Sequence, residues 1–254
     1  MYLGLDIGSS SSKAVLLGEN QESLAAQVVN LGTGTKGVGQ VLEAVYRQAG
    51  IGPEEVRYTV VTGYGRMTYQ GADRQITEIS CHAKGVFHLS SSARTIVDVG
   101  GQDTKVIRLG QDGSVENFVM NDKCAAGTGR FLEMMAKTME MNLDELSKVG
   151  LSYQEDITIS SMCTVFAESE VVSLIAQNKA TDDIVHGLNK AVAAKTASLV
   201  KRVGGEEAYM MTGGVAQNQG LVKTLEERLG TKLVISDKSQ LCGALGAALF
   251  ATEM

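Results

Sequence analysis

The sequence predicts an α/β fold of two similar halves with a cleft between them. Two observations support this prediction. The pattern D-(I/V)-G-x-x-x-(S/T)-K, flanked by short apolar strands, occurs at residues 6–13 and again at residues 98–105, and the two stretches align without a gap. A Thr-Gly pair that ends a second type of apolar strand occurs at residues 62–63 and again at 212–213. Because both elements recur in the same order, the chain is predicted to contain a duplicated domain.

The elements of the first half follow from apolar spacing. Alternating and continuous apolar runs predict strands, and apolar residues three and four positions apart predict helices. The strands are expected at residues 2–8, 13–17, 24–31 and 56–61, and the helices at residues 38–48 and 78–88.

The second half begins at Thr95 with the repeated hairpin, which spans residues 95–109. It is richer in helical patterns than the first half. Helices are expected at residues 129–140, 167–177, 183–203 and 219–228, followed by a strand at 232–235 and a closing helix at 243–251. The predicted domains are therefore residues 1–92 together with the closing segment 241–254, and residues 93–240, with hinges near 90–93 and 236–242.

Composition excludes several classes of protein. The chain of 254 residues has 23 Lys and Arg against 29 Asp and Glu, a net charge of −6, and no basic run, which argues against nucleic-acid binding. No segment resembles a signal peptide or reaches the roughly 18 apolar residues of a membrane-spanning helix, so we expect a cytoplasmic protein without a membrane partner.

The two hairpins predict a nucleotide site. Turn amides and hydroxyls suit phosphate oxygens, and two carboxylates suit a hydrated Mg²⁺ ion, for which we expect Asp6 and Asp98. Gln102 or Asp103 is expected to orient the attacking water, with Asp98 as a further catalytic residue. A single D-x-G hairpin is more often only a turn, but the duplication favours the functional interpretation. The predicted phosphate-binding residues are Asp6, Gly8, Ser9, Ser10, Ser11, Ser12, Lys13, Gly100, Gly101, Thr104 and Lys105.

A competing glycine motif lies between a predicted strand and a predicted helix. Residues 32–37 fit G-x-G-x-x-G, which in a parallel βαβ unit binds a dinucleotide. Here the preceding strands form a meander, so a loop before a helix is the favoured interpretation. The chain contains no G-x-x-x-x-G-K-(S/T) motif, which excludes a P-loop fold.

A third motif, T-G-G-V-A-Q-N at residues 212–218, completes the set. Together the three motifs resemble phosphate loop one, phosphate loop two and the adenosine loop of the acetate and sugar kinase, Hsp70 and actin superfamily. This resemblance implies a duplicated ribonuclease H-like (actin-like ATPase) fold. The expected adenosine-side residues are Thr212, Gly213, Gly214, Gln217 and Asn218.

Two of the four cysteines lie in conspicuous contexts. Cys124 and Cys163 are each expected immediately before a helix, where the helix N-terminus favours a thiolate that could ligate an iron–sulfur cluster. Two thiolates are half of the four that a [4Fe–4S] cluster takes, and a twofold homodimer would supply the rest. From the residues alone the simpler interpretation, a small buried hydrophobe, stays open, and it is preferred for Cys81 and Cys242.

The segments N-D-K-C-A-A-G-T-G-R-F-L and C-T-V-F-A-E-S-E-V, with T-G-Y-G-R and V-G-G-Q-D, closely resemble the activator component of 2-hydroxyacyl-CoA dehydratases, within the benzoyl-CoA-reductase-type ATPases. The resemblance covers the whole chain. It implies a homodimer with one bridging [4Fe–4S] cluster on Cys124 and Cys163 and one ATP per protomer, hydrolysed to ADP.

The resemblance also implies a function. Ferredoxin or flavodoxin would reduce the cluster, and ATP hydrolysis would accompany transfer of one low-potential electron to an iron–sulfur partner. That partner would be a 2-hydroxyacyl-CoA dehydratase, a benzoyl-CoA-type reductase or another acceptor. Two alternatives remain at this stage, a small-molecule kinase of the same fold and a nucleotide-switched binding protein without redox activity.

Overall fold

The computed structural model describes residues 1–160 and 163–254. The chain divides into two compact units. The first unit comprises Met1–Ile96, Ile107–Asn117 and Ser236–Met254, and the second comprises Val97–Val106 and Phe118–Ile235.

The first unit contains five strands, β1 (Tyr2–Ile7), β2 (Ser12–Leu17), β3 (Ser23–Val29), β4 (Tyr58–Thr62) and β5 (Arg74–Gln75). They form one sheet in the order β3-β2-β1-β4-β5. β1 and β2 form the antiparallel hairpin that the repeat predicts, with Asp6 opposite Lys13, whereas β4 runs parallel to β1. The side chains of β1 are buried along its whole length, and each large apolar one contributes about 1.5–3 kcal/mol to folding.

Three helices cover this sheet, α1 (Gly37–Ala49), α2 (Glu78–Leu89) and the C-terminal α8 (Cys242–Ala251). α8 is apolar on all sides and almost wholly buried. Glycines allow its close approach to its neighbours, because a Cβ at Gly246 would lie 1.8 Å from the carbonyl oxygen of Cys81 in α2. A Cβ at Gly4 of β1 would similarly lie 2.0 Å from the carbonyl oxygen of Ala244.

The second five-stranded sheet has the order β10-β9-β6-β7-β8. Its strands are β6 (Thr95–Val99), β7 (Thr104–Leu109), β8 (Val115–Asn121), β9 (Tyr209–Thr212) and β10 (Leu233–Val234). The helices of this half are α3 (Gly129–Thr138), α4 (Leu143–Val149), α5 (Thr164–Ala176), α6 (Thr181–Val203) and α7 (Gln219–Leu229). One apolar cluster, centred on Phe131, Met135, Leu188 and Met211, packs these helices on the sheet.

Among the strands and α-helices, three were absent from the sequence prediction: the edge strands β5 and β8 and the short helix α4. The segment Ile107–Asn117 also packs with the first unit, although the predicted boundary left it in the second half. The reason is a close contact, since a Cβ at Gly113 would lie 2.5 Å from Cγ of Phe87 in α2. Within the described residues, no helix combines the length and the hydropathy needed to cross a membrane.

Candidate nucleotide and cysteine sites

The first hairpin brings a carboxylate and an ammonium group together beside a tight turn. Asp6 is 5% exposed, and its Oδ2 lies 3.2 Å from Nζ of Lys13 on the opposite strand. The turn closes through a 3.0 Å hydrogen bond that the amide of Gly8 donates to the carbonyl of Ser11. The hairpin therefore combines turn amides, the hydroxyls of the serine run and one side-chain ion pair, as a phosphate site requires.

Gly63 lets the backbone after β4 pass close to the Asp6 carboxylate. Its φ is +88°, a region that favours glycine, and a Cβ there would lie 2.3 Å from Oδ1 of Asp6. The sequence analysis noted Gly63 in the repeated Thr-Gly pair but did not include it among the site residues. Because Gly213, its counterpart in the repeat, was included, the repeat itself could have indicated a site role for Gly63.

The second hairpin has the same turn but a different charge arrangement. Its Gly100 amide donates to the carbonyl of Asp103 at 2.9 Å. Nζ of Lys105 lies 3.0 Å from Oδ2 of Asp98 and 2.5 Å from Oδ2 of Asp103. The Lys105 side chain is only 3% exposed, so this cation is held between two carboxylates away from water.

The third motif lies directly on the second hairpin. The hydroxyl of Thr212 donates a buried 2.7 Å hydrogen bond to Oδ1 of Asp98. Gly213, with φ of +86°, passes so close to β6 that a Cβ would lie 2.3 Å from the carbonyl oxygen of Val99. The Thr-Gly pair thus fixes the orientation of Asp98, a contact between residues far apart in the sequence.

The side chains of several predicted nucleotide ligands form hydrogen bonds within the protein. The hydroxyl of Ser12 donates to the carbonyl of Leu31 at 2.8 Å, and that of Thr104 donates to Gly127 at 2.7 Å. Asn218 is the N-cap of α7, where its side chain accepts from an amide. The side chains of Gln102 and Gln217, by contrast, are exposed.

The competing glycine motif forms a loop that leads into α1, as the favoured interpretation predicted. Its preceding strand, β3, pairs antiparallel with β2, so the motif does not belong to a parallel βαβ unit. Gly32 instead packs on the first hairpin, where a Cβ would lie 2.0 Å from the carbonyl oxygen of Ser9. The motif supports the hairpin.

The two singled-out cysteines are exposed, whereas Cys81 and Cys242 are buried, as expected for small hydrophobes. Cys163 is the N-cap of α5, which agrees with its predicted place at a helix N-terminus. The prediction was wrong in detail for Cys124, because α3 begins only at Gly129. Cys124 lies in the preceding loop, where the side-chain amide of Asn121 donates to the backbone carbonyl of Cys124 at 3.0 Å.

The thiols of this chain fit an iron–sulfur cluster in type but not in number. The exposed side chains of Cys124 and Cys163 are thiols, the ligands that such clusters take. Two thiols are half of a [4Fe–4S] ligand set. Within the described residues of one chain, no group of three or more His, Cys, Asp or Glu side chains is arranged to hold a metal ion. The residues present therefore fit one half of a shared site.

Comparison with known proteins places the chain in a family. The model of the BadF/BadG/BcrA/BcrD ATPase family matches residues 3–251. The chain belongs to this family. The 2-hydroxyisocaproyl-CoA dehydratase activator of Clostridioides difficile is 49% identical over 254 residues, which are 100% of this chain and 96% of that protein. The (R)-2-hydroxyglutaryl-CoA dehydratase activating ATPase of Acidaminococcus fermentans is 44% identical over 250 residues, with 98% and 96% covered.

The solved structures agree with the family assignment. The activator of the 2-hydroxyisocaproyl-CoA dehydratase from Clostridium difficile, solved with bound ADPNP, superimposes with a TM-score of 0.96 at 49% identity, covering 100% of this chain and 95% of that one. This BadF/BadG/BcrA/BcrD ATPase therefore has the duplicated ribonuclease H-like, actin-like ATPase fold that the sequence predicted.

Proposed function

We propose that this chain is an ATP-dependent activator that delivers a low-potential electron to a 2-hydroxyacyl-CoA dehydratase. One observation carries the proposal: relatives named as activators of such dehydratases are 44–49% identical to it over essentially the whole chain. A benzoyl-CoA-type reductase or another iron–sulfur protein is the alternative acceptor, since one of the subunits of the benzoyl-CoA reductase of Thauera aromatica is 29% identical over 258 residues.

The nucleotide chemistry is assigned to the two hairpins. The ADPNP in a related structure supports ATP as the ligand. We assign its phosphates to the turn amides and the serine hydroxyls of residues 9–11, with Lys13 as the cation best placed to move from Asp6 to a phosphate oxygen. Mg²⁺ would be held by Asp6 and Asp98 through its water shell, because Mg²⁺ keeps most of its waters and takes few carboxylates.

Water activation is assigned to Gln102, with Asp103 as the second candidate. The Gln102 side chain is exposed at the turn of the second hairpin, whereas Asp103 contacts Lys105. A neutral amide that orients water suffices for phosphoryl transfer, which depends mainly on positioning and charge neutralisation. Lys105 would then hold the hairpin in shape and neutralise part of its charge.

The cluster site is assigned to Cys124 and Cys163 from each of two subunits. When bound, a [4Fe–4S] cluster would accept one electron from ferredoxin or flavodoxin and pass it to the acceptor. The α5 helix supports a twofold dimer, because four of its large apolar side chains are 42–67% exposed: Val165, Phe166, Val172 and Ile175. An isologous interface would cover this apolar face and bring two pairs of thiols to the axis.

The deciding experiment is anaerobic purification followed by iron analysis and sedimentation. We expect a brown dimer with about four iron atoms, and an ATPase that releases ADP and inorganic phosphate. The Cys124→Ala variant should lose the iron and keep ADP binding. Cys81→Ala, which removes a buried thiol instead, is the matched control and should keep its iron.

Three results would contradict the proposal. A colourless monomer from strictly anaerobic cells would exclude the cluster, and a full iron complement in Cys124→Ala would exclude that ligand. Transfer of the phosphoryl group to a sugar or acid, in place of phosphate release, would instead favour the kinase.

A further inference from the structure

Each phosphate hairpin is hydrogen-bonded to the loop that follows the third strand of its own sheet. In the first unit, the hydroxyl of Ser12 donates to the carbonyl of Leu31 at 2.8 Å, and the amide of Thr33 donates to the carbonyl of Gly8 at 2.9 Å. A movement of the turn at Gly8 must therefore also move the loop at residues 31–33.

The second unit repeats these contacts with shorter bonds. The hydroxyl of Thr104, the counterpart of Ser12, donates to the carbonyl of Gly127 at 2.7 Å in a buried contact. The amides of Gly129 and Arg130 donate to the carbonyls of Gly100 and Gly101 at 2.8 and 2.7 Å. Three bonds thus join the second hairpin to residues 127–130.

The two loops differ in length, and Cys124 lies in the extra segment of the longer one. Ser12 and its acceptor are separated by 19 positions, whereas Thr104 and its acceptor are separated by 23. The second loop is therefore longer by four residues between the end of the strand and the carbonyl that accepts this hydrogen bond. Asn121 closes this extra segment, because its amide group donates to the carbonyls of Cys124 and Ala126.

We propose that Thr104 is a positioning residue for the Cys124 loop, and that its bond to Gly127 transmits nucleotide binding at the second hairpin to that loop. The proposal rests on the proposed function, which puts ATP phosphates on this hairpin. It gives Thr104 a role other than phosphate binding. Its hydroxyl proton is already donated to Gly127, so it cannot at the same time be donated to a phosphate oxygen.

Hydrogen–deuterium exchange on the full chain, purified anaerobically, tests the proposal with ADPNP as the probe. In the wild type, ADPNP should slow exchange about fivefold or more in both loops, residues 31–33 and residues 127–130. Thr104→Val should lose the slowing at 127–130 and keep it at 31–33. Ser12→Ala, the matched control, should do the reverse, and Thr104→Ser should restore the wild-type pattern.

ADPNP affinity, measured on the same samples by equilibrium dialysis, separates this proposal from the proposed function. The wild type alone gives one decisive outcome. If it binds ADPNP but exchange at residues 127–130 is not slowed, the proposed role of the Thr104–Gly127 bond is overturned and the nucleotide function stands. Retention of the full slowing in Thr104→Val also overturns it. If ADPNP does not bind at all, the nucleotide function is contradicted, and the proposed role of the Thr104–Gly127 bond is contradicted with it.

Discussion

In both halves of this ATPase a glycine amide closes the hairpin turn onto a carbonyl three residues later, and a lysine lies beside an aspartate on the paired strand. The side chains around this shared backbone differ. Where the first hairpin has Ser11, the second has Asp103, which adds a carboxylate next to the lysine. Lys105 is 3% exposed, whereas Lys13 is 17% exposed.

This difference indicates that the two halves have diverged in electrostatics while keeping one geometry. The first hairpin has one carboxylate for one lysine, and the second has two. A buried lysine that contacts one buried and one partly buried carboxylate loses more electrostatic stabilisation on leaving them than a lysine with one partner. We therefore expect Lys13 to be the mobile cation of the pair and Lys105 to be the fixed one.

The cysteines show the largest contrast between the units. Cys81 and Cys242 lie buried in the first unit, and Cys124 and Cys163 lie exposed in the second. Burial raises the pKa of the Cys81 thiol to about 12. We expect a maleimide or iodoacetamide, applied at pH 8 to native cluster-free protein, to label only the two exposed thiols within minutes, because roughly 10⁻⁴ of Cys81 is thiolate there.

Peptide mass spectrometry after labelling checks this expectation, and labelling in denaturant, which should reach all four cysteines, is its control.

The raised pKa of Cys81 also determines the direction in which pH changes the free energy of unfolding. The unfolded state loses the Cys81 proton near its ordinary pKa of 9.0, and the folded state keeps it until about 12. Its contribution to the free energy of unfolding is thus complete below pH 9 and is lost as the pH rises towards 12. Rapid native labelling of Cys81 would contradict both statements.

The second contrast concerns the lysines. Lys105→Met should lower the free energy of unfolding by about 3–5 kcal/mol, because it leaves the buried Asp98 and the partly buried Asp103 without their cation. Lys13→Met removes one partner from one carboxylate in a wetter site and should cost less, below about 2 kcal/mol. Urea unfolding without nucleotide, followed by circular dichroism, measures both.

Equal losses in the two variants would break the comparison, since the hairpins would then be electrostatically equivalent. A second measurement sharpens it. If Lys13 moves from Asp6 to a phosphate, Lys13→Met should weaken ADPNP binding more than its small stability loss suggests.

Much of the fold was predictable because the chain repeats itself. The gapless repeat fixed both hairpins, and apolar spacing located most of the long helices to within a few residues. β8 was missed because its residues are largely exposed at a sheet edge and so lack a buried alternation. Its counterpart β3, however, was predicted, and the repeat extended beyond Leu109 would have indicated it.

α4 was missed for a different reason. Seven residues are too few for helical periodicity to stand out. Its N-terminus nevertheless carries a local signal, since Asn142 and Glu145 form a reciprocal capping box. The same kind of local detail places Cys124 off the start of α3, because Gly127 turns with φ of +84° and Thr128 is the N-cap.

The candidate site was predictable in residue types but not in contacts. Thr212 and Asp98 are 114 positions apart, and nothing local to either predicts their hydrogen bond. The sequence likewise assigned both lysines to phosphate, because a lysine pattern does not report how many carboxylates surround its ammonium group. Such contacts depend on tertiary packing.

The smallest contrast concerns the two threonines at the ends of β4 and β9. Thr212 donates to Asp98, whereas the hydroxyl of Thr62 is buried beside the Cys81 thiol and forms no hydrogen bond of normal geometry within residues 1–160 and 163–254. Thr212→Val should lower the free energy of unfolding by about 1.5–3 kcal/mol, the range for a bond to a charged group. Thr62→Val should stay within about 1 kcal/mol of the wild type, because the hydroxyl it removes stabilises little.

Urea unfolding of both variants, with Thr212→Ser as the conservative control, separates the loss of the bond from the change in shape. Serine keeps the hydroxyl, so most of the stability should return, whereas valine keeps the volume and loses the donor. If Thr62→Val costs as much as Thr212→Val, then Thr62 also holds a partner in solution, and the first hairpin would be as constrained as the second. Lys13 would then no longer stand out as the mobile cation, because Asp6 would be oriented as firmly as Asp98.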